Sequence, residues 1–581
     1  MAAGIPKKVG GRRGRDLSSF ILVDHVAPEQ LCTFCLAPLR IQQHRTRPLQ
    51  LLSRKLLITQ KDRCCTGKSC PGRATLFRPT FDESRYMVNH CEYGLDVIAR
   101  VGESHHLKHM SLKEIHEELI EEGVAISRRH VPNLLRLYLA MVGARTLDSG
   151  AVQKRLEAQG RLILSVDAVR FDDVSPAMYV VRELISGEIL ASERIKVADT
   201  KSLSVLLEKV KALGLPVAGI VSDKEHAQVA AVRKVFPGVP HQYCQTHFFG
   251  HLVKPLEPEL AELAKGVEKV AKEASDLKKA LESSKDKTHP QEREIVGKFC
   301  EAVRVISKTR GDKILDPPAL KRFNKLANLE ALTVTAVTAV TVKTGQNPSP
   351  KAVEEPVAKA ADEPAVTPVP TGKKSARPGA LLQKLLTIFT LLASYKELAR
   401  RLTRQVEIVR DIAHILGLDL SGKEVESQLE GYLKTLTHNP ETGRGAPMGR
   451  FQGKVKEITG RFWSGLFACY DVDSLPRTNN ALESFFRLLK SHDRRCRGNK
   501  SNAGGLLESI GPVIAQLWPT LHERPDLYSL YQDLTKEELQ KARQNLQDLS
   551  EPARARRSFV RDYEAHLQEL ISELDLLLAE P

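Results

Sequence analysis

The sequence has no long apolar segment of the kind that directs secretion or anchors a protein in a membrane. Its first residues, MAAGIPKKVGGRRGR, lead into polar sequence without a continuous apolar stretch, which argues against a secretory signal. The longest uncharged β-prone run, Ala331 to Val342, is far shorter than the roughly 20 residues that span a bilayer, and Thr recurs through it. We therefore expect a cytoplasmic protein without a membrane anchor.

Cysteine is too scarce for a scaffold held together by disulfides. The chain has ten cysteines in 581 residues, which indicates a few thiols with specific roles. A chain of this length also exceeds what one hydrophobic core supports, so we expect three or four domains.

Acidic residues are outnumbered, and this bears on the kind of partner. Lys and Arg number 87 against 71 Asp and Glu, which gives a formal net charge of +16. A basic chain suits a polyanion, because contact with nucleic-acid phosphates releases counterions. Ordinary solubility is the alternative explanation, and charge alone favours nucleic acid over it.

The chain divides by pattern into segments of different kinds. One of them, rich in Pro, Ala, Lys and Glu, cannot bury enough apolar surface to order itself and is predicted to be a linker. The predicted segments are a basic tail (1–15), a zinc-ribbon-like module (16–95), a helix-turn-helix domain (96–150), the first part of an α/β core (155–250), a helical insertion (251–470) that contains the linker (343–380), the last part of the core (471–515) and a helical C-terminal tail (516–581).

Two groups of closely spaced cysteines stand near the amino end. The first is a Cys-x-x-Cys knuckle, and the second lies a short distance further on. Two thiolate pairs on separate turns are what tetrahedral Zn²⁺ requires. Unmetallated thiols are the alternative, Cys64 is left as a spare, and His90 or Cys91 could replace a ligand. The predicted zinc ligands are Cys32, Cys35, Cys65 and Cys70.

A capping box predicts the first helix of a helix-turn-helix. Ser111 and Glu114 have the required spacing, and Gly123 can end the helix in the left-handed conformation. Ser127 is predicted to cap a second helix, although Pro132 is awkward beyond a first turn. Residues at the start of such a helix contact DNA, and a purely structural hairpin is the alternative. The predicted DNA contacts are Arg128, Arg129 and His130.

Alternating strands and a helix predict a sheet with parallel pairing between about 160 and 250. Two strands are predicted to end on carboxylates, Asp167 and Asp223, at adjoining strand ends where ligands of such sheets bind. Two carboxylates there can hold a divalent metal, while turn or helix capping is the simpler role. Asp172 or Asp173 could substitute for Asp167. The predicted strands are 162–166, 178–183, 189–195 and 217–221, with a helix at 202–213.

Two further motifs lie downstream of this sheet. The first, His-Gln-Tyr-Cys-Gln-Thr-His, contains Cys244 and His247. A cysteine protease would also need an orienting group and an oxyanion hole, and we locate neither.

The second motif, Arg-Thr-Asn-Asn-Ala-Leu-Glu, places Asn479, Asn480 and Glu483 near one face of a helix. A basic run follows, which suits the DNA backbone or forms a solvated face. Its members are Lys490, Arg494, Arg495, Arg497 and Lys500.

Taken together, these motifs resemble the DDE transposases with an RNase H-like fold, particularly the Mutator-like and bacterial insertion-sequence groups with Cys-x-x-His after the second Asp. The resemblance covers 160–250 and 471–505, and the linker and the region after 515 depart from it. It implies an α/β RNase H-like catalytic core interrupted by an all-α insertion. It also implies a catalytic triad of Asp167, Asp223 and Glu483 binding Mg²⁺ or Mn²⁺, supported by Cys244, His247, Asn479 and Asn480.

The resemblance further implies a transposase that cuts the ends of its own element and joins the freed 3′-hydroxyl to target DNA. Such an enzyme binds double-stranded DNA as a homo-oligomer and is associated with the nucleoid. Three carboxylates suit this chemistry, because two divalent ions about 4 Å apart stabilise the attacking and leaving oxygens. A non-catalytic DNA-binding regulator derived from a transposase is the alternative, and a metal-dependent nuclease without strand transfer is a third possibility.

Overall fold

The computed structural model describes residues 18–79, 87–88, 90–171, 176–284, 289–312, 314–343, 380–436, 446–498 and 506–579. The chain forms two compact units, Met1–Cys244 with Val472–Pro581, and Gln245–Asp471. The predicted basic tail, almost all of the predicted linker, the alternative ligands Asp172 and Asp173, and Lys500 lie outside the described residues. The protein has a mixed α/β structure with two mixed sheets.

The first unit opens with a three-stranded sheet. Its strands are β1 (Ile21–Val26), β2 (Leu39–Gln50) and β3 (Lys55–Cys65). The central strand, β3, pairs in parallel with β1 and antiparallel with β2. Leu49, Ile58 and Met87 form a small core on this sheet. The connection between β1 and β2 and the end of β3 bring two groups of cysteines to the same end of the sheet.

Four helices follow, and the predicted capping box is present at the second. They are α1 (Leu95–His106), α2 (Leu112–Glu121), α3 (Val131–Thr146) and α4 (Ser149–Glu157). The Ser111 hydroxyl accepts from the Glu114 amide at 3.2 Å, and the Glu114 carboxylate accepts from the Ser111 amide at 2.7 Å. Gly123 has φ +82°, the left-handed conformation that was predicted.

The second helix of the predicted pair starts later than the sequence indicated. Ser127 does not cap it; α3 begins at Val131, with His130 as its N-cap residue. The reason is Pro132, which has no amide hydrogen and fits only in the first turn of a helix. The residues from 128 to 130 therefore form a turn before the helix.

A five-stranded sheet in the order β6-β5-β4-β7-β8 forms the centre of the first unit. Its strands are β4 (Leu162–Val169), β5 (Ala177–Glu183), β6 (Ile189–Ile195), β7 (Val217–Ser222) and β8 (His241–Tyr243), with α5 (Thr200–Lys211) before β7 and α6 (His226–Val235) after it. Strands β4, β7 and β8 are parallel, and β5 and β6 are antiparallel to their neighbours. The four predicted strands and the helix at 202–213 are confirmed to within a few residues.

One boundary in this sheet was predicted wrongly. Strand β4 does not end on Asp167 but continues through Val169, and Asp167 pairs with Val180 of β5. The antiparallel partner keeps β4 extended past the point at which its parallel pairing with β7 stops, at Val166.

Every secondary-structure element that the structure describes in the second unit is a helix. They are α7 (Gln245–Val253), α8 (Glu257–Ser283), α9 (Pro290–Ser307), α10 (Pro318–Lys343), α11 (Ala380–Ala393), α12 (Lys396–Gly417), α13 (Gly422–Thr435), α14 (Pro447–Phe462) and α15 (Ala468–Asp471), with single 3₁₀ turns before α8 and after α14. Helix α8 packs against α9, α10 and α11, and its buried residues include Leu263, Val270 and Leu277. The β-prone run Ala331 to Val342 lies within α10.

The chain then returns to the first unit as helices. They are α16 (Asn480–Arg497), α17 (Leu506–His522), α18 (Leu527–Gln532), α19 (Lys536–Arg561) and α20 (Tyr563–Ala579). The expectation of an α/β fragment at 471–515 is wrong for the described residues, which hold no strand there. Helix α17 packs on β6 and α3, and α19 packs on α3 and α17. Within the described ranges, no helix combines the length and apolar character needed to cross a bilayer.

Candidate functional site

The four cysteines predicted to bind zinc form a cluster, with their Sγ atoms all within 4.8 Å of one another. Cys32 Sγ lies 3.7 Å from Cys70 Sγ, and Cys35 Sγ lies 3.4 Å from Cys65 Sγ. Tetrahedral Zn²⁺ with Zn–S bonds of about 2.3 Å places its sulfurs roughly 3.8 Å apart. The cluster is therefore compatible with a zinc site.

Backbone amides point at these sulfurs. The Phe34 amide donates to Cys32 Sγ at 3.4 Å, and the amides of Gly67 and Gly72 donate to Cys65 and Cys70 at 3.2 and 3.3 Å. Burial raises the pKa of Cys70 to about 12. Burial also acts to raise the pKa of Cys32, but hydrogen bonds from two backbone amides and from neighbouring thiols together outweigh it and lower that pKa to about 7. Adjacent thiols cannot all ionise without a cation, and a bound dication removes that conflict.

The remaining candidates near the amino end lie apart from this cluster. Among the described residues, Cys64, His90 and Cys91 are not part of the group. The predicted DNA contacts Arg128 and Arg129, together with His130, are exposed in the turn before α3. They are accessible to a ligand at the helix N-terminus.

The strand register places the two aspartates side by side. Val166 of β4 pairs with Ser222 of β7 in parallel; Asp167 is the next residue of β4, and Asp223 directly follows the end of β7. Neighbouring strands lie about 4.8 Å apart, so both carboxylates belong to one edge of the sheet. Asp167 is only 9% exposed, and its Oδ1 accepts from the Ala168 amide at 2.7 Å.

Asn479 ties helix α16 to this edge. Its buried side-chain oxygen accepts from the Ser165 hydroxyl, and its amide nitrogen donates to the Val166 carbonyl at 3.2 Å. Glu483 stands one turn further on, and its amide donates to the Asn479 carbonyl at 3.2 Å. The helix that carries the exposed Glu483 is thus fixed to the strand that carries Asp167.

Cys244 contributes to the same anchorage. It is fully buried, its amide donates to the Ser222 carbonyl at 2.9 Å, and its Sγ accepts from the Asn479 amide at 3.3 Å. The sulfur therefore acts as an acceptor at the start of α16. His247 lies in α7 of the second unit, exposed, with its ring 5.9 Å from that of His251.

The three carboxylates do not form a tight cluster among the described residues. Their oxygens are not all within 4.8 Å of one another, unlike the four thiols. A two-ion site does not require that contact, because ions about 4 Å apart with ligands at about 2 Å separate opposite ligands by up to roughly 8 Å. The register and the Asn479 contacts set the arrangement.

The basic residues of α16 divide into two kinds. Arg494 and Arg495 are exposed, and Arg495 lies 4.0 Å from Glu114 of α2. Lys490 is half-buried with its Nζ 6.0 Å from the Phe171 ring centre, and burial, followed by the charge of Arg494, lowers its pKa. The exposed pair is accessible to a phosphate backbone.

Sequence reasoning missed two residues that position α16. Ser165 is the one polar residue in the predicted strand 162–166, and this was the one available signal. Arg182 of β5 donates to the Ala481 carbonyl at 3.0 Å and lies 5.8 Å from the Phe485 ring centre. No sequence pattern indicated its role.

In comparisons with known proteins, no protein-family profile and no curated protein matched the chain.

Proposed function

We propose that this protein is a DDE-type transposase with an RNase H-like core, which cuts DNA at the ends of a mobile element and joins the cut end to target DNA. The observation that carries the proposal is the attachment of the Glu483 helix to β4 by Asn479, beside Asp167 and in register with Asp223. Residues 314 apart in the chain meet there.

The sheet supports the proposed fold. Three antiparallel strands are followed by a helix and two further strands that are parallel to the first, and the two aspartates follow the paired ends of the central parallel strands. An edge of this kind is where α/β sheets bind ligands. The helical second unit enters between β8 and α16, as an insertion in such a core would.

The donor set fits a hard divalent cation. Asp167, Asp223 and Glu483 offer carboxylate oxygens, which are the ligands that Mg²⁺ and Mn²⁺ prefer. Bound there, the metal would lower the pKa of an attacking water and neutralise charge on the phosphate. The strand register and the Asn479 contacts support the placement of the three carboxylates at one edge, and the exposed Arg494 and Arg495 further along α16 would bind the DNA backbone.

The amino-terminal modules supply recognition. Zn²⁺ held by the four cysteines would fix the two cysteine turns as one rigid surface, because folding of such modules depends on the metal. Arg128 and Arg129 stand before α3, the helix that would read base edges in a major groove. Binding and cutting are thus assigned to different parts of the first unit.

The test uses labelled duplexes that cover the DNA on both sides of the coding sequence. The full-length protein is expected to cut one of them at a fixed position in Mg²⁺, leaving a 3′-hydroxyl, and to join that end to an unlabelled plasmid. Cutting without joining would identify a nuclease. Specific binding without cutting in either Mg²⁺ or Mn²⁺ would overturn the catalytic proposal in favour of the regulator.

A further inference from the structure

A second group of metal-ligand side chains lies inside the first unit, away from the cysteine cluster and the carboxylates. His105 lies in the last turn of α1, and His492 and Cys496 are one turn apart on α16. All three are buried, and one potential ligand atom from each lies within 4.8 Å of the other two. We propose that His105, His492 and Cys496 bind a Zn²⁺ ion.

The separations match those of a mixed nitrogen and sulfur site. Cys496 Sγ lies 3.8 and 3.7 Å from the Nδ1 and Nε2 atoms of His492. Zinc bonds of about 2.3 Å to sulfur and 2.0–2.1 Å to nitrogen place the two ligand atoms roughly 3.6 Å apart in a tetrahedron. A small adjustment of side chains therefore accommodates the ion.

The imidazoles are oriented as metal ligands are. His105 Nδ1 lies 3.1 Å from the Met110 carbonyl, so this nitrogen donates its proton and leaves Nε2 to bind. A ligating histidine commonly donates its other ring N–H to a backbone carbonyl in this way.

His109 is held next to this group by an uncommon backbone conformation. Its φ of 53° lies in the left-handed region, which non-glycine residues seldom adopt. The resulting turn brings its Nδ1 to 2.7 Å from His492 Nδ1. This is the length of a hydrogen bond between the two rings, so His109 orients the His492 ring and leaves His492 Nε2 to bind the ion.

An independent sign of a missing ligand comes from His106. This side chain is completely buried and stacks on the His492 ring at 5.5 Å. Neither of its ring nitrogens has a hydrogen-bond partner among the described residues. An unsatisfied buried polar group costs about 1–3 kcal/mol, so water or a metal-bound ligand in this space would stabilise the fold.

The site would join α1, next to the predicted DNA-binding helices, to the helix that carries Glu483. Its function is structural, because its three ligands are all buried and link two helices. It does not depend on the proposed transposase activity, and its test reads metal content rather than DNA cleavage.

The test is the number of zinc ions per chain in the purified full-length protein, measured by inductively coupled plasma mass spectrometry. The wild type is expected to contain two Zn²⁺ per chain, and Cys35→Ser and Cys496→Ser one each. Cys300→Ser removes a different buried thiol and is expected to keep both ions. A wild type with one Zn²⁺ that Cys496→Ser retains and Cys35→Ser loses would overturn the proposal.

Cobalt substitution covers the case in which Cys496→Ser does not fold. Co²⁺ added to metal-free Cys35→Ser is expected to give tetrahedral visible absorption with the charge-transfer band of a single thiolate. His492→Gln added to Cys35→Ser should abolish that band. Absence of a tetrahedral spectrum in Cys35→Ser, with unchanged circular dichroism, would refute the site independently of the zinc count.

Discussion

The four-cysteine cluster and the carboxylate edge differ in how the chain assembles them. The cysteines come from two nearby turns of one small sheet, and their sulfurs already lie at zinc-binding separations. The carboxylates come from β4, the end of β7 and a helix that follows the whole second unit. Their arrangement depends on strand register and on a hydrogen bond between residues 314 positions apart.

This difference separates what each site needs in order to function. Soft thiolates close around a single ion, whereas a catalytic carboxylate site must keep open positions for phosphate and water. Loss of a cysteine should disrupt the zinc cluster without moving the five-stranded sheet. Loss of the Asn479 contacts should disrupt the carboxylate site although all three carboxylates remain. The following experiments test that separation, in decreasing order of expected effect.

The largest effect is expected at the carboxylates. Asp167→Asn or Asp223→Asn removes a charge that would bind metal, and cleavage should fall by at least about 10²–10³-fold, as when an electrostatic contact to a transition state is lost. Binding to the cut DNA should not change, because Arg128 and Arg129 lie elsewhere. Gel assays of cutting and binding provide both values.

The matched control is Asp473→Asn in the same unit. This exposed carboxylate pairs with Arg161 at the start of β4, outside the proposed metal edge. Its cleavage rate should equal that of the wild type. Equal rates for Asp167→Asn and Asp473→Asn would refute the assigned role of Asp167.

Disruption of the cysteine cluster should weaken DNA binding, which is the property that the aspartate variants are expected to keep. Cys65→Ser is expected to lose one bound zinc and to weaken sequence-specific DNA binding, because the two turns are no longer fixed to each other. Cys64→Ser changes the adjacent buried thiol, which lies outside the cluster, and should keep the metal. Zinc content and binding titrations measure both. Equal zinc content in the two variants would contradict the ligand assignment.

Loss of the hydrogen bonds that attach α16 to β4 is expected to have an effect of intermediate size. Asn479→Ala leaves the Ser165 hydroxyl and the Val166 carbonyl without their partner and should lower unfolding free energy by about 1–3 kcal/mol. Displacement of Glu483 by about 1 Å should reduce cleavage by roughly 10²-fold. Ser484→Ala on the same helix is the control. Full activity in a stable Asn479→Ala variant would show that the contact does not position Glu483.

Two arginines should separate base recognition from backbone contact. Arg128→Ala is expected to cost about 1–3 kcal/mol of binding and to relax sequence preference. Arg494→Ala should weaken binding to all sequences and reduce the slope of log affinity against log salt by about 1. Binding titrations at several salt concentrations distinguish the two. If Arg128→Ala and Arg494→Ala changed sequence preference and salt dependence in the same way, the assignment of one arginine to bases and the other to the backbone would be wrong.

The smallest effect concerns the cap of α2. Ser111→Ala should lower stability by about 1 kcal/mol, with Lys113→Ala as the control.

The same cap should make stability depend on pH, because the amide and hydroxyl of Ser111 lower the pKa of Glu114 below its ordinary 4.5. This contribution is therefore present at neutral pH and is lost as the pH falls through that lowered value. A stability difference between wild type and Glu114→Gln that persisted at pH 2 would contradict this explanation.

Local patterns explain the parts of the fold that the sequence predicted. Strands β4 to β7 were recognisable because their apolar runs are short and bounded by turns, and α2 because a capping box acts within four residues. The cysteine spacing likewise restricts the ligands to two turns. Each of these signals depends on neighbours in the sequence.

Long-range contacts explain what the sequence did not predict. The extension of β4 past Asp167 depends on pairing with β5, and the partnership of Asn479 with Ser165 depends on the packing of α16. The run Ala331 to Val342 is helical against the local β preference of Val and Thr, with Thr333 buried and Leu332 and Val334 exposed. Late initiation of α3 was indicated by Pro132 but its position was not.

The most direct measurement of the central claim compares wild type with Glu483→Gln in cleavage of a labelled duplex from the DNA that flanks the coding sequence. We expect Mg²⁺-dependent cutting at a fixed position by the wild type, and unchanged binding with no cutting by the variant. Cutting by Glu483→Gln at the wild-type rate would contradict the assignment of the α16 carboxylate to a shared metal site with Asp167 and Asp223.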